Sequence, residues 1–291
     1  MNYAFMTDSN SDIPFHIVDK YEIPIVYMPY TLEGVEYFAD LGRDPSVGKA
    51  FYNKMRAGAM PITSLLPTPV YLEYFEPILK ERDLLFIAFS SQLSNTIQNI
   101  YEAREELLRK YPGRKFLVAD TMSISAPQTL LILRAHEMYR AGKPMEEIAE
   151  WVENNRFRSH GIITVDDLKY LKRGGRISGM TAAIGTMLDL RPVLAIGRNG
   201  KIVPSEKAQG RRKAIRLLAD RTAELIEDPA GQTLIIIHAD VPEDARRLEE
   251  LLRKTVPDIG DIMIVPVGPV IGTHCGPGTL ASCFLGKERP L

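Results

Sequence analysis

Leu84-Leu85-Phe86-Ile87-Ala88-Phe89-Ser90-Ser91-Gln92-Leu93-Ser94-Asn95-Thr96 is an apolar run that passes, through one loop of hydroxyl and amide side chains, into a helical pattern. The six apolar residues at its head show no polar alternation, which reads as a strand buried on both faces. Ile97, Ile100, Tyr101, Arg104, Leu107, Leu108 and Tyr111 then keep the 3.6-residue period, with Arg104 snorkelling at the edge, and Pro112-Gly113 stops the helix. A strand buried on both faces followed by a long amphipathic helix is the unit of a parallel sheet covered by helices.

The same alternation extends in both directions. Tyr3–Met6, Ile23–Met28 and Phe116–Val118 read as further buried strands. Leu130, Leu131, Arg134, Ala135, Met138 and Tyr139 form a helical stripe before Gly142, and a helix from Met145 to about Asn154 buries Ile148, Trp151 and Val152. The pattern restarts with a strand at His160–Val165 and a short helix at Asp167–Lys172 closed by Gly174-Gly175. Val193–Ile196 and Lys201–Val203 flank Asn199-Gly200, a two-residue hairpin signal. Helix Arg211–Ile226, strand Leu234–His238, helix Pro242–Lys254 and strand Ile262–Val267 follow. The expected fold class is α/β: two α/β domains, 1–157 and 158–291, with mostly parallel sheets and a ligand cleft between them. The boundary falls near 156–159, and the last residues pack back on the first domain.

Composition excludes several classes. Of 291 residues, 36 are basic and 37 acidic, a net charge of -1 that gives no basic face for generic nucleic-acid binding. Hydrophobic content of 45% with 25% charged residues is that of a folded globular chain. Cys275 and Cys283 make neither a disulfide framework nor a structural zinc site and read as buried small hydrophobes. The start, Met1 to Asp8, shows no basic leader or long apolar segment, and no run approaches the ~20 apolar residues of a spanning helix. A soluble, cytoplasmic protein without stable membrane insertion is expected.

GxGxxG after the first strand, GxxxxGK[ST], GxSxG and HExxH are all absent. What remains is a series of loops at predicted strand ends, the edge where open α/β sheets bind ligands. Thr7-Asp8-Ser9-Asn10-Ser11-Asp12 precedes Ile13-Pro14, with Asp12 as a candidate helix cap. Ile62-Thr63-Ser64-Leu65-Leu66-Pro67-Thr68-Pro69 leads into a helix starting near Val70. Ser90 to Thr96 places Ser94 as a helix N-cap, beside free N–H groups suited to a carboxylate or phosphate. Asp120-Thr121-Met122-Ser123-Ile124-Ser125 repeats the design. Together these loops describe a hydrogen-bonding socket for an anion.

The second half adds cations and glycine. Lys172 and Arg173 complement the end of their helix, whereas Arg176 lies beyond it and is the better ligand candidate. His274 sits in Gly268-Pro269-Val270-Ile271-Gly272-Thr273-His274-Cys275-Gly276-Pro277-Gly278, where the glycines imply close backbone approach. A metal site built from Asp8, Asp120, His160, His238, Asp240 and His274 has only the His238-x-Asp240 spacing in its favour, and no metal is expected.

In order along essentially the whole chain, Thr7-Asp8-Ser9 with Asp12-Ile13-Pro14, Thr63-Ser64, Ser90 to Thr96, Tyr170-Leu171-Lys172-Arg173-Gly174-Gly175-Arg176-Ile177 and His274-Cys275-Gly276-Pro277-Gly278 resemble the bacterial DegV family. The resemblance implies two α/β domains clasping one long-chain fatty acid. It places the carboxylate on the hydroxyls of Thr63 and Ser94, with His274 and Arg176 close by. It also implies a partner, a separate ATP-dependent kinase subunit of the fatty acid kinase system, so that this chain is a carrier and not itself an enzyme. The expected ligand-binding set is Thr63, Ser64, Ser91, Ser94, Asn95, Ser123, Arg176 and His274, with no catalytic residue and no cofactor. The chain departs from the family where Leu65-Leu66 replaces a usual Gln then Pro, and where Asn95 replaces a usual glycine and is expected to keep a left-handed turn. Burying about 14 methylenes at roughly 0.8 kcal/mol each would give a gross ~11 kcal/mol, so the tail dominates affinity. Met180–Leu190 is a candidate wall of its tunnel. The alternatives are a lipid-sensing regulatory module and a phosphotransferase or hydrolase of a small acid.

Overall fold

Thr7, Asp8 and the apolar residues before them extend into a six-residue strand, β1 (Tyr3–Asp8), every residue of which is buried. The computed structural model describes residues 2–177 and 190–290. In chain order β1 is followed by α1 (Phe15–Tyr21), β2 (Ile25–Val26), β3 (Pro29–Leu32), β4 (Val35–Phe38), α2 (Pro45–Arg56), β5 (Ile62–Thr63) and α3 (Thr68–Glu81). Then come β6 (Asp83–Ala88), α4 (Thr96–Lys110), β7 (Phe116–Asp120), α5 (Ala126–Arg140) and α6 (Met145–Asn155). The remainder is β8 (Ser159–Thr164), α7 (Lys169–Arg173), β9 (Leu190–Ile196), β10 (Ile202–Gln209), α8 (Arg211–Leu225), β11 (Leu234–His238), α9 (Pro242–Thr255), β12 (Ile262–Pro266), α10 (Pro269–Cys275) and β13 (Leu280–Leu285).

The first sheet, β2-β1-β6-β7, is parallel throughout. The alternation of side chains along β6 divides its two coverings. Leu84 and Phe86 pack with Phe75 and Leu79 of α3 and Ile97, Ile100 and Leu107 of α4. Leu85 and Ile87 pack instead with Ile132 and Ala135 of α5 and Ile148 and Val152 of α6. The apolar run at residues 84–89 is thus continuous because both of its faces are covered.

The six-stranded sheet, β10-β9-β8-β13-β11-β12, corrects the expectation of mostly parallel sheets. Only β11 and β12 pair in parallel; the other four pairings are antiparallel. Two of the four come from β9, which pairs with β8 and with its hairpin partner β10, and two from β13, which the sequence reading missed. It returns from α10 and inserts antiparallel between β8 and β11, with Cys283 opposite Gly161 and Ile235 opposite Cys283. One face of this sheet is covered by α8 and α9 through Leu218, Ala219, Leu248 and Leu252. The other face presents Ile235, Ile237, Ala281 and Cys283 to a core that includes Met28, Tyr52 and Phe86 from the first half of the chain.

A third sheet, β4-β3-β5, is small and antiparallel and was also unforeseen. Its hairpin turns at Glu33 (φ +53) and Gly34 (φ +81), the double positive-φ geometry of tight hairpins. Asp12 is not the cap of α1: Pro14 holds that position, while Asp12 adopts φ +51 and turns its carboxylate inward. Arg289, 1% exposed, donates to the carbonyls of Ser159 (2.7 Å), Met122 (2.9 Å) and Gly197 (3.3 Å) and to the Ser123 hydroxyl. Among the described residues no helix is long and apolar enough to cross a membrane. Residues 180–189 of the Met180–Leu190 wall lie outside the described residues; Leu190 opens β9.

Candidate ligand-binding site

The third sheet delivers the first site residue. β5 pairs with β3, Thr63 opposite Tyr30, and this holds Thr63 and the following Ser64 against α10. The Thr63 hydroxyl lies 2.8 Å from Nε2 of His274, which stands in the last turn of α10. His274 Nδ1 is buried and, among the described residues, has no hydrogen-bond partner. Its ring approaches the backbone at Gly174, where a Cβ would stand 2.5 Å from Nδ1. Burial, with Arg176 and Arg173 nearby, pushes the imidazole pKa down to about 4, so the ring is neutral at physiological pH.

The loop after β6 supplies Ser94. The N-cap of α4 is Asn95, one residue later than the sequence suggests, and its side chain makes no cap bond. Ser94 Oγ accepts from the Thr96 N–H at 3.2 Å and lies 2.9 Å from the Thr96 hydroxyl. Asn95 takes φ -76, so the expected left-handed turn is not formed. Arg176, just beyond α7, donates from Nε to the Leu93 carbonyl at 3.2 Å and from Nη1 to the Gly174 carbonyl, which draws the cation onto the same loop.

These residues surround one end of a cavity of ≈ 140 Å³ between the two large sheets. Thr63, Ser64, Ser94, Arg176 and His274 all line it. The rest of the wall is mainly apolar: Phe89 and Leu93 from the first half, and Ile163, Leu194, Ile237 and Ala281 from the inner face of the six-stranded sheet. Ser91, Asn95 and Ser123 are not among the lining residues. The Ser91 N–H is held by Asp120 at 3.3 Å, and the Ser123 hydroxyl is taken by Arg289. Sequence reasoning missed Asn10, Ser125 and Thr279, which add polar atoms to the wall, and the lining role of both cysteines. The hydroxyl-rich loops around Asn10 and Ser125 were a signal; nothing marked Thr279. The residues of the metal reading do not converge: among the described residues no group of three or more His, Cys, Asp or Glu side chains is placed to hold an ion. His238 Nδ1 accepts from the Val241 N–H at 3.3 Å, and Asp240 pairs with Arg56.

A cavity whose wall brings hydroxyls, a neutral imidazole and one guanidinium together and is mainly apolar elsewhere suits an anionic head on a hydrocarbon. A family model described as an uncharacterised protein of the DegV family matches residues 2–287. This chain belongs to the DegV family. A DegV domain-containing protein of Clostridium perfringens is 40% identical over 288 residues, covering 99% of this chain and 98% of that one. Among solved structures, a DegV lipid binding protein from Thermotoga maritima matches with 30% identity and a TM-score of 0.83 over 100% of both chains. DegV, a fatty acid binding protein from Bacillus subtilis, matches with 29% identity and a TM-score of 0.82 over 99% of this chain and 100% of its own. The DegV fold accounts for the mixed six-stranded sheet that the sequence pattern had placed in the parallel class.

Proposed function

We propose that this DegV chain binds one long-chain fatty acid, with its carboxylate at the Thr63–His274 end of the cavity and its tail along the apolar remainder. The observation that carries the reading is the make-up of the wall: Thr63 meets His274, Arg176 is bonded to the nearby Leu93 and Gly174 carbonyls, and most of the other lining side chains are apolar, with Asn10, Ser125 and Thr279 as further polar groups. The descriptions of the Thermotoga and Bacillus proteins as lipid binding and fatty acid binding support it. Thr63, Ser64, Ser94, Arg176 and His274 make the direct contacts. Ser91 and Asn95 shape the loop that carries Ser94, and the Ser123 carbonyl, which accepts from the Ser90 N–H at 3.0 Å, supports that loop from its neighbour. The units 1–157 and 158–291 act as two α/β domains that clasp the ligand.

The chain acts as a carrier. A neutral His274 beside the Thr63 hydroxyl has the look of a base and a nucleophile, but that chemistry calls for a third group orienting the ring. Nδ1 faces Gly174, and among the described residues it has no such partner. The carrier presents its acid to a separate cytoplasmic kinase subunit, which supplies ATP and forms the acyl phosphate.

Mass spectrometry of an organic extract of the purified protein tests the ligand, followed by titration of the stripped protein with several acids. A stoichiometric long-chain acid is the expected result; failure of every acid to bind, or ATP turnover by the isolated chain, overturns the reading. Capture of an ATP-dependent kinase subunit separates the carrier from a lipid-sensing module.

A further inference from the structure

Along the inner face of the six-stranded sheet, residues two apart point the same way, so the cavity wall is built in rows. Val165 and Thr279 form the row nearest His274, because Thr279 donates to the carbonyl of Cys275 at 2.9 Å. Ile163, Ala281 and Leu194 form the next, paired across β8, β13 and β9. Among the described residues Gly161, Cys283 and Ile196, with Ile202 opposite Ile196, form the last row of the wall, about 13 Å from Val165 at about 3.3 Å per residue.

This last row is closed from above and behind. A Cβ on Gly161 would lie 3.0 Å from Cγ of Pro127 and 3.4 Å from Cδ1 of Ile196, so ring and side chain meet over the glycine. One step further along the same face is Ser159, fully buried, whose hydroxyl donates to the Pro127 carbonyl at 2.6 Å and whose carbonyl accepts from Arg289 Nε at 2.7 Å. An alkyl chain that advanced past Gly161 would have to break these buried hydrogen bonds and could replace neither.

We infer that the row Gly161–Cys283–Ile196, roofed by Pro127 and backed by the Ser159–Arg289 bonds, sets the longest acyl chain that the cavity accepts. The inference rests on the fatty-acid reading and adds to it a gauge of chain length.

The test offers delipidated protein an equimolar series of straight-chain saturated acids and weighs what is retained by mass spectrometry. Cys283→Leu fills the last row and is expected to move the most abundant bound acid shorter by about two carbons, whereas Ile196→Ala opens it and moves the maximum longer. Opposite shifts support the gauge. If the unaltered protein binds acids and the folded variants keep its length profile, the gauge is wrong and the fatty-acid reading stands. If the unaltered protein binds none, the fatty-acid reading itself falls. Should Cys283→Leu fail to fold, Ile196→Ala decides alone: an unchanged maximum overturns the inference.

Discussion

The hydroxyl of Thr63 and Nε2 of His274 lie 2.8 Å apart although 211 residues separate them in the chain. One comes from a two-residue edge strand and the other from the last turn of a short helix, so the pair forms only when the two halves of the molecule are packed together. Thr63→Ala and His274→Ala are each expected to weaken fatty-acid binding by about 1–3 kcal/mol. The double variant should lose less than the sum, since each single change already breaks the shared bond. Calorimetric titration of the four proteins gives the coupling; strict additivity would show that the pair does not act on the ligand together.

Gly174 offers a way to disturb His274 without touching any polar group. Its φ is an ordinary -71, so alanine is conformationally tolerable, yet the added Cβ would stand 2.5 Å from His274 Nδ1. Gly174→Ala should therefore displace the ring, lengthen the bond to Thr63 and lower ligand affinity several-fold. Affinity equal to that of the unaltered protein would mean that the ring's position does not matter to binding.

Asp12 predicts a pH dependence. Its carboxyl accepts from the Gly268 N–H at 3.1 Å and from the Ser125 hydroxyl, but burial outweighs these bonds and pushes its pKa up to about 7. The unfolded chain holds Asp near 3.9, so the folded state keeps the proton where the unfolded state has lost it. The stabilising contribution is complete below about pH 4 and is lost as pH rises through about 7. Asp12→Asn should flatten the decline in denaturant midpoint across that window, and parallel profiles for the two proteins would remove Asp12 as the cause.

Arg289 fastens the end of the chain to three distant backbone segments. Among the described residues no carboxylate lies in ion-pair range of it, and burial lowers its pKa to about 9. Arg289→Ala leaves three carbonyls and the Ser123 hydroxyl without this donor, a loss of about 3 kcal/mol or more. Arg289→Lys should recover only part of that, because an ammonium lacks the planar fork that reaches several acceptors at once. Equilibrium unfolding in urea measures both; a midpoint unchanged in Arg289→Ala would show the contacts to be dispensable.

Much of this architecture is written in local pattern. The run at residues 84–89 and the helix after it are legible because continuous apolar strands and 3.6-residue stripes are properties of neighbouring residues. Leu234–His238 reads as a strand with the bounds that β11 has in the structure. The hydroxyl loops and His274 were likewise visible, since strand ends rich in Ser and Thr and a histidine among glycines stand out in one dimension.

Strand direction, by contrast, leaves no trace in the apolar period. β13 reads Leu-Ala-Ser-Cys-Phe-Leu whether it runs parallel or antiparallel to its neighbours, and its insertion between β8 and β11 adds two antiparallel pairings to those that β9 makes with β8 and β10. Convergence is hidden for the same reason. Nothing near Thr63 announces His274, nothing near Ser123 announces Arg289, and Ser91 and Asn95, though they stand in the same loop as Ser94, fall outside the cavity wall. Local pattern alone was enough for most of the helices, the long apolar strands, the loops and the kinds of side chain available for an anion, but not for β13 or the small third sheet. The tertiary structure decided which of them meet, because packing brings together surfaces that lie far apart in the chain, and hydrogen bonds of less than 3 Å are set by that packing and not by local propensity.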